Sequence, residues 1–364
     1  LCGGVIIAMY PMDTVFPVYC HNCWVSDGWD PLAYGQGNNW DVPFLAQFGN
    51  LLRKVPRVAL FQYHANVNSE FSNYISNDKD TYLSYSVVDS ERVFYSNNLD
   101  SSKDCFDCLY LQKSELCHES VDGNNNSKCK FLLRSRDCLE SSFLFDCTNC
   151  IYCFMSSNMR NKKYIFRNEQ LTKEQYAQKL KGIEFGSYNW LQKLMEEFVY
   201  VIVVSINKYS NIVKTIDCSG NNIWNAKNVR DAFGVHDSEN VRYFVRGYNL
   251  KDSYDIHGSS GRELAYECLV TGWNSSRIKF SSNSDLSSDL ECCDWCHSSS
   301  NLFGCVGLRN KQYCILNKQY SKEEYEEFVP RIIDHMNKMP YIDQKGRVYK
   351  YGEFFPPELS PFCY

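Results

Sequence analysis

The feature that most constrains the fold of this chain is an internal duplication. Two motif pairs recur at an offset of 149 residues: Arg160-Asn-Lys-Lys-Tyr164 with Arg309-Asn-Lys-Gln-Tyr313, and Thr172-Lys-Glu-Gln-Tyr176 with Ser321-Lys-Glu-Glu-Tyr325. Two upstream pairs recur at an offset of 148: Lys103-Asp-Cys-Phe-Asp107 with Lys251-Asp-Ser-Tyr-Asp255, and Glu115-Leu-Cys-His-Glu119 with Glu263-Leu-Ala-Tyr-Glu267. A nearly constant offset over four motifs predicts two homologous modules in one chain.

Within each copy a shorter polar motif recurs. Its middle residues are Asp80, Glu91, Asp104, Glu115, Lys128, Asp137 and Asn149 in the first copy and Asn228, Glu239, Asp252, Glu263, Ser276 and Asp285 in the second. Helical-hairpin repeats need about 33 residues, which is far longer than this spacing. Short β-favouring segments between Ser, Asn and Asp corners indicate one side of a β-solenoid coil. Two such motifs would then complete a turn of roughly 22 to 25 residues.

The cysteines are numerous and clustered. The chain has 19 of them, an odd number, and several stand two residues apart. This spacing is more typical of thiolate metal ligands than of a secreted disulfide framework, so we expect a reducing, cytoplasmic location. Four other cysteines share one phase of the repeat and are expected to form an inward column: Cys105, Cys117, Cys129 and Cys138.

Two helical regions follow the repeats. Thr172 and Ser321 each begin a capped helix, and a second helix is expected from residue 188 to 198. The apolar run from residue 198 to 205 has the length of a strand. The predicted fold is therefore mainly β, with two duplicated β-solenoid modules, inserted or capping helices and a partial N-terminal zinc ribbon. The expected domains are a ribbon segment and linker (1–60), solenoid copy 1 (61–168), linking helices (169–200), solenoid copy 2 (201–318), and a capping helix with an extended tail (319–364).

Composition excludes some classes of function. Hydrophobic residues make up 44% and aromatic residues 15% of the chain, which is enough for a folded core. Lys and Arg number 38 against 43 Asp and Glu, and such a balance makes a nucleic-acid partner unlikely because phosphate binding needs clustered cations. No apolar run approaches the length of about 18 residues that a membrane span requires.

Several motifs resemble a known family. They are Pro17-Val-Tyr-Cys-His-Asn-Cys-Trp24, Ser26-Asp-Gly-Trp-Asp-Pro31, Ser102-Lys-Asp-Cys-Phe-Asp-Cys108, Phe143-Leu-Phe-Asp-Cys147, Gly304-Cys-Val-Gly-Leu-Arg-Asn-Lys-Gln-Tyr313 and Gly352-Glu-Phe-Phe-Pro-Pro-Glu-Leu-Ser-Pro361. Across nearly its whole length the chain resembles a family of uncharacterised, cysteine-rich, zinc-ribbon-containing repeat proteins of candidate-phyla-radiation (Patescibacteria) bacteria. The resemblance implies no activity that can be transferred to this chain.

The resemblance does imply a metal site. In that family a Cys-x-x-Cys-Gly segment precedes Ile-Ile-x-Met-Tyr, and here Cys2-Gly3 precedes Ile6-Ile-Ala-Met-Tyr10. Cys2 then corresponds to the second cysteine of that pair, and its partner is expected before residue 1. With Cys20 and Cys23 it supplies three thiolates of a structural zinc site, closed by that upstream cysteine or, less well, by His21. The alternative is three ordinary cysteines.

Two other groups of residues have both a structural and a functional interpretation. The Cys147-x-x-Cys150-x-x-Cys153 run could ligate a metal or an iron–sulfur cluster with Cys138, but a buried thiol column is favoured because the duplicate lacks this spacing. Trp24 and Trp29, with Asp27 and Asp30, could bind a ligand, although packing of the ribbon on the first coil is favoured.

The sequence does not predict a reaction. Glu115/Glu119 and Glu263/Glu267 resemble the paired carboxylates of solenoid glycosidases, but their recurrence in both copies favours a scaffold role. The scattered histidines and serines form no recognisable constellation, so we assign no catalytic residue. We therefore expect a non-enzymatic scaffold or binding protein whose partner is a protein or a glycan. A solenoid carbohydrate-active hydrolase or lyase is the alternative, and nucleic-acid binding through the ribbon is a weaker one.

Overall fold

The computed structural model describes residues 1–63, 65–112, 127–271 and 274–360, and the fold is mainly β. The helices are α1 (His21–Val25), α2 (Phe44–Lys54), α3 (Lys173–Lys181), α4 (Tyr188–Val204) and α5 (Lys322–Lys338), with 3₁₀ turns at Pro31–Tyr34 and Pro357–Leu359. The strands are β1 (Val18–Tyr19), β2 (Arg57–Val58), β3 (Gln62–Tyr63), β4 (Asn73–Ser76), β5 (Lys79–Tyr82), β6 (Tyr85–Val88), β7 (Glu91–Phe94), β8 (Asn97–Asp100), β9 (Lys103–Phe106), β10 (Leu109–Gln112), β11 (Lys130–Leu133), β12 (Ser142–Phe145), β13 (Ile151–Ser157), β14 (Lys163–Phe166), β15 (Glu169–Gln170), β16 (Ile212–Ile216), β17 (Gly220–His236), β18 (Glu239–Thr271), β19 (Ser275–Ser282), β20 (Ser288–Glu291), β21 (Ser300–Phe303), β22 (Gln312–Ile315), β23 (Lys318–Gln319), β24 (Tyr341–Ile342) and β25 (Val348–Tyr349).

The chain divides into two compact units. One unit, called here the first-copy unit, comprises residues 60–207. The other, the second-copy unit, combines residues 1–59 with residues 208–364. The N-terminal segment that contains the candidate metal ligands therefore belongs to the same unit as the second copy of the duplication.

The strands of the first-copy unit pair in parallel with strands 12 residues further along the chain. Ile75 pairs with Val87 and Val87 with Leu99 in the sheet β3-β4-β6-β8-β10. Lys79, Glu91 and Lys103 show the same spacing in the sheet β5-β7-β9. One polar motif, and not two, therefore separates stacked neighbours, so the expected turn of 22 to 25 residues is wrong.

This short spacing has a local backbone cause. In the repeats every third residue is buried, and the residue before it has a positive φ, as in Asn77 (+61°) before Asp78 and Asp80 (+55°) before Thr81. Asn and Asp tolerate the left-handed region better than most residues. Asn77 also donates a hydrogen bond of 3.0 Å to the carboxylate of Asp89, twelve residues later. The chain thus bends at every third position, and most strands of this unit extend over four residues.

Buried serines satisfy the backbone at the interior corners. The amide N–H groups of Ser84, Ser96 and Cys108 donate to the Oγ atoms of the serines 12 residues earlier, at 3.2, 3.1 and 3.0 Å. The hydroxyl of Ser96 in turn donates to the carbonyl of Phe94 at 2.8 Å. Each serine therefore joins two levels of the stack. Since buried polar groups need partners, serine is a suitable interior residue at these corners.

The interior is otherwise apolar and rich in thiols. The expected burial of Cys105, Cys129 and Cys138 is confirmed, and Cys117 lies outside the described residues. Cys138 stands nine residues after Cys129, whereas stacked residues are 12 apart, so the two occupy different columns. A free cysteine packs as a small hydrophobic residue, which suits a narrow interior.

The second-copy unit contains the eight-stranded sheet β16–β23, in chain order. Its register offset is 12 residues at most pairs, as for Val229 and Val241, but 13 between β18 and β19, where Arg262 pairs with Ser275. A second core lies between α2, α5 and the tail, with Phe44, Phe48, Ile332, Met336 and Phe355 at its centre. The tail, which we expected to be extended, contains the 3₁₀ turn Pro357–Leu359, since proline is suited to the first position of such a turn.

The duplication extends to individual contacts. In the first-copy unit, the rings of Tyr164 and Tyr176 join β14 to α3 with centroids 6.0 Å apart. The equivalent pair Tyr313 and Tyr325 joins β22 to α5 at 5.8 Å. Both α3 and α5 begin with the predicted capping boxes, formed by Thr172 with Gln175 and by Ser321 with Glu324.

Helix α4 is longer than the sequence indicated. It continues through Val204, so the run expected to have the character of a strand is helical. Leu194 and Phe198 pack against the aromatic row of β12 and β13, where the ring centroids of Phe143 and Phe198 are 5.7 Å apart. Burial on one helical face outweighs the weak preference of Val and Ile for strands.

Candidate metal centre and aromatic platform

Cys2, Cys20 and Cys23 lie together in the N-terminal segment. Their sulfur atoms are all within 4.8 Å of one another, and the Sγ atoms of Cys2 and Cys20 are 3.8 Å apart. Cys20 caps the N-terminus of α1, where its sulfur accepts the N–H of Cys23 at 3.4 Å. The parallel pair β1–β2 holds this turn, since Arg57 N–H donates to the carbonyl of Pro17 at 2.9 Å. The three predicted ligands are thus brought together by local structure.

The electrostatics of the three thiols favour one thiolate. The pKa of Cys2 falls to about 7, because it accepts hydrogen bonds from the backbone of Gly4 and from the side chains of Cys23 and Cys20. The pKa of Cys23 is raised, first by its hydrogen bond to Cys20 and then by that to Cys2. Since a thiolate is the form that binds metals, the cluster is partly prepared for an ion.

The spacing fits tetrahedral coordination. With metal–sulfur bonds of about 2.3 Å, two ligands of a tetrahedral site are about 3.8 Å apart, which matches the Cys2–Cys20 distance. The cluster could therefore hold a metal ion through three sulfurs. His21 is not part of this group; it is half-buried, and burial lowers its pKa, so it remains neutral.

The two tryptophans of the segment have a packing role. Trp24 is buried and contacts Trp295 and His297 at ring distances of 6.1 and 5.9 Å. The guanidinium of Arg309 lies 5.0 Å from the ring of Trp24 and 5.4 Å from that of Trp29. The expectation of packing on the first coil is wrong, because these partners belong to the second copy. Among the aspartates, Asp30 accepts the N–H of Leu32 at 2.9 Å and begins the 3₁₀ turn Pro31–Tyr34.

The Cys147, Cys150 and Cys153 run lies in the interior of the first-copy unit, where all three residues are fully buried. Within the described part of the chain, only Cys2, Cys20 and Cys23 meet the distance criterion for a metal-binding group. Burial and neighbouring thiols raise the pKa values of Cys138, Cys147 and Cys153 far above the ordinary value, first through hydrogen bonds to Cys150. These residues behave as core thiols, as favoured from the sequence.

The paired carboxylates do not form a catalytic centre. Glu267 accepts the backbone N–H of Phe354 at 2.6 Å and so anchors the tail, while Glu263 is exposed. Glu115 and Glu119 lie outside the described residues. Asp285 contacts the imidazole Nδ1 of His297, and this pair is covered by Trp24.

A second candidate site was not found from the sequence. Tyr82, Phe94 and Phe106 end the strands β5, β7 and β9 at paired positions. With three neighbours they form the aromatic platform of the first-copy unit: Phe71, Tyr82, Leu83, Phe94, Tyr95 and Phe106. Successive ring centroids are 5.5 Å (Phe71–Tyr82), 5.9 Å (Tyr82–Tyr95) and 5.7 Å (Tyr95–Phe106) apart. The 12-residue spacing of Tyr82, Phe94 and Phe106 is the sequence signal that indicates this surface.

The platform is open to solvent. The exposed fractions of its side chains are 45% for Phe71, 38% for Tyr82, 50% for Leu83, 50% for Tyr95 and 43% for Phe106, and Phe94 is half-buried. Contiguous exposed aromatic surface of this kind is typical of binding sites.

No protein-family model matches the chain, and no curated protein matches it. The resemblance stated from the motifs therefore stays a prediction. Within the described residues, no helix has both the length and the apolar character needed to cross a membrane.

Proposed function

We propose that this chain is a non-enzymatic binding protein whose repeats form two β-solenoid modules and whose aromatic platform binds a neutral glycan. The solenoid assignment is supported by parallel pairing at 12-residue offsets and by serine and thiol columns in the interior. In such a stack each coil buries its side chains only against its neighbours, and its outward residues form columns on the surface. The platform is one of these columns, and it carries the functional proposal.

The second copy acts as an internal control for the platform. At the offset of 148 residues, the positions of Tyr82, Leu83 and Phe94 hold Arg230, Asp231 and Arg242. All three of these charged residues are exposed in the second-copy unit. The repeat therefore folds with charged residues at positions where the first copy places large apolar ones. Because folding does not require the platform, we attribute it to binding.

Backbone conformation supports the same conclusion. Leu83 and Tyr95 have φ values of +46° and +51°, a region that disfavours bulky side chains. Such residues persist where another requirement outweighs the local cost, and they are frequent at binding sites. Leu83 and Tyr95 are also the two most exposed members of the platform.

The charges beside the platform indicate an uncharged ligand. Glu91 lies 3.6 Å from both Lys79 and Lys103, and Arg92 pairs with Asp104 at 2.5 Å. These charges neutralise one another, so the surface has no cationic stripe for phosphates. Aromatic faces repeated once per strand offer a stacking surface to successive rings of a linear sugar chain, with polar groups at the rim for its hydroxyls. A neutral glycan therefore fits better than a nucleic acid.

Zinc is proposed as a structural ion of the N-terminal segment. Cys2, Cys20 and Cys23 would hold it through three sulfurs, and the fourth position would be taken by a ligand from outside this group. Its effect would be to fix the turn at α1, and thereby the tryptophans packed on the second-copy unit. Buried free thiols fit a reducing compartment, so we propose a cytoplasmic location.

A glycan array with the reduced, zinc-supplemented chain tests the function. The substitutions Tyr82→Arg and Phe94→Arg introduce the residues that the second copy has at these positions, so they should preserve the fold as measured by circular dichroism. We expect each to weaken glycan affinity at least about tenfold, as loss of an aromatic anchor does. Tyr152→Arg, at an exposed tyrosine outside the platform, is the matched control and should bind normally.

Two results would contradict this function. One is that no glycan binds, and the other is that the platform variants bind as well as the original chain. Release of reducing sugar from a bound glycan would instead support the hydrolase or lyase alternative.

A further inference from the structure

Helix α4 carries an exposed apolar surface that the fold of the first-copy unit does not use. Its members are Val199, Tyr200, Val203, Val204 and Ile206, with exposed fractions of 55%, 66%, 73%, 60% and 78%. We call this set the α4 patch. Leu194 and Phe198 face the opposite direction, into the aromatic core. The helix is therefore apolar on both sides near its C-terminal end, which is unusual for a surface helix of a soluble unit.

The second-copy unit shows what a covered helix looks like in this architecture. Helix α2 packs against Phe303 as α4 packs against Phe154, and these two phenylalanines are equivalent at the offset of 149 residues. Phe44 and Phe48 of α2 are buried at the same helical spacing as Leu194 and Phe198 of α4. The two helices can thus be aligned by their buried pairs.

This alignment isolates the unusual feature. The solvent-facing residues of α2 are Asn50, Arg53 and Lys54, all polar and exposed. The corresponding residues of α4 are Tyr200, Val203 and Val204. Packing on the repeats therefore does not require apolar residues at these three positions. Their presence in α4 indicates a second surface that excludes water.

The end of the helix is held in place, so the patch is preformed. The side chain of Asn158 accepts the N–H of Ile206 at 3.1 Å and donates to its carbonyl at 2.9 Å. On the preceding turns, Glu197 forms a two-point ion pair with Arg167 at 2.5 and 2.7 Å. A partner would lose little chain entropy by binding here.

We propose that the α4 patch is a self-association surface that pairs with the α4 patch of a second copy of this chain. No ionised residue occurs from Phe198 to Asn207, so two patches related by a two-fold axis bring only uncharged groups together. The i, i+4 rows Val199–Val203 and Tyr200–Val204 form ridges suited to helix–helix packing. An antiparallel arrangement also opposes the two helix dipoles.

The size of the patch sets the expected strength. Stable interfaces bury about 800 Å² on each partner, and a patch of two helical turns is smaller. The dimer is therefore weak, with dissociation expected between about 1 µM and about 1 mM. This interface is independent of the aromatic platform and of glycan binding.

Sedimentation velocity over that concentration range, in reducing buffer with zinc, tests the proposal. The mass average should rise from 42.4 kDa towards twice that value. Val203→Glu and Tyr200→Glu should each weaken dimerisation at least about tenfold, because they bury a carboxylate at the interface. Both side chains are exposed, so circular dichroism should show an unchanged fold. Tyr188→Glu, at an exposed position on the first turn of the same helix, is the matched control and should dimerise normally.

Three outcomes would overturn the proposal. The chain could remain monomeric throughout the range. Self-association could persist in both glutamate variants, which would place the interface elsewhere. A monomeric chain that binds vesicles of neutral phospholipid only while Val203 is intact would identify the patch as a membrane-contact surface instead.

Discussion

Arg57 and Asp294 form an ion pair that is almost completely removed from solvent. Nη2 of Arg57 lies 2.8 Å from Oδ2 of Asp294, and the side chains are 2% and 5% exposed. Burial alone would lower the pKa of Arg57, but the facing carboxylate of Asp294 reverses this effect and raises it. Arg57 lies in β2, and Asp294 bridges residues of the repeats in the second copy. The pair therefore joins the metal-binding segment to the repeats of the same unit.

Removal of one partner should be costly. In Arg57→Met, Asp294 keeps a buried charge without its cation, so we expect a loss of about 3–5 kcal/mol in unfolding free energy, measured by urea denaturation. Arg57→Met combined with Asp294→Leu removes both charges and should recover much of this loss. Equal instability of the single and double variants would contradict the ion-pair explanation.

The serine ladder predicts a backbone effect. Ser96→Ala leaves the N–H of Cys108 without its acceptor and should reduce the free energy of unfolding by about 1–3 kcal/mol. Ser96→Cys keeps the size and a weak acceptor, as Cys108 does at the next level, and should cost less. Thermal unfolding of both variants measures the difference, and an equal loss would show that cavity formation, not hydrogen bonding, dominates.

Asp78 should make the stability of the first-copy unit depend on pH. Burial raises its pKa to about 7, although the N–H of Ser90 donates to its Oδ1 at 2.8 Å and partly offsets this. The unfolded value is 3.8, so the folded state holds the proton more tightly. The stability contributed by this proton is complete below pH 3.8, and it is lost as pH rises through about 7.

Asp78→Asn removes this dependence while keeping an acceptor for Ser90. At pH 8 we expect the variant to be more stable by a few kcal/mol, on the order of 1.4 kcal/mol per pKa unit, with little difference at pH 4. Asp107→Asn, at an exposed position, is the control and should change neither value. Unfolding free energies measured across this range check the sign. A variant that is less stable at pH 8 would contradict the argument.

The metal centre predicts a stoichiometry. A reduced preparation supplied with zinc should retain about one equivalent by elemental analysis, and Cys20→Ser should lose most of it. Cys218→Ser alters a half-buried thiol outside the cluster and should retain the metal. Addition of a chelator should lower the unfolding temperature of the original chain but not that of Cys20→Ser. Zinc well below one equivalent in the original chain would remove this assignment.

The sequence predicted the elements whose cause is local or repeated. The duplication, both capping boxes and the burial of the Cys147 run could be predicted because each depends on spacing or on a nearby partner. The number of residues per level could not, because the polar motif marks a repeat without showing how the backbone turns. Left-handed residues at every third position, including bulky ones such as Leu83, decide that length, and no composition rule indicates them.

By itself the sequence determined that two related, mainly β modules with thiol-rich interiors would form, and that Cys2, Cys20 and Cys23 were the leading metal ligands. The tertiary structure decided which surfaces remain free and which are covered. Trp24 was assigned to the wrong module because its partners, Trp295 and Arg309, are distant in the chain. The aromatic platform and the α4 patch became visible only through exposure. Periodicity states which residues share a face, whereas burial depends on what else packs against that face.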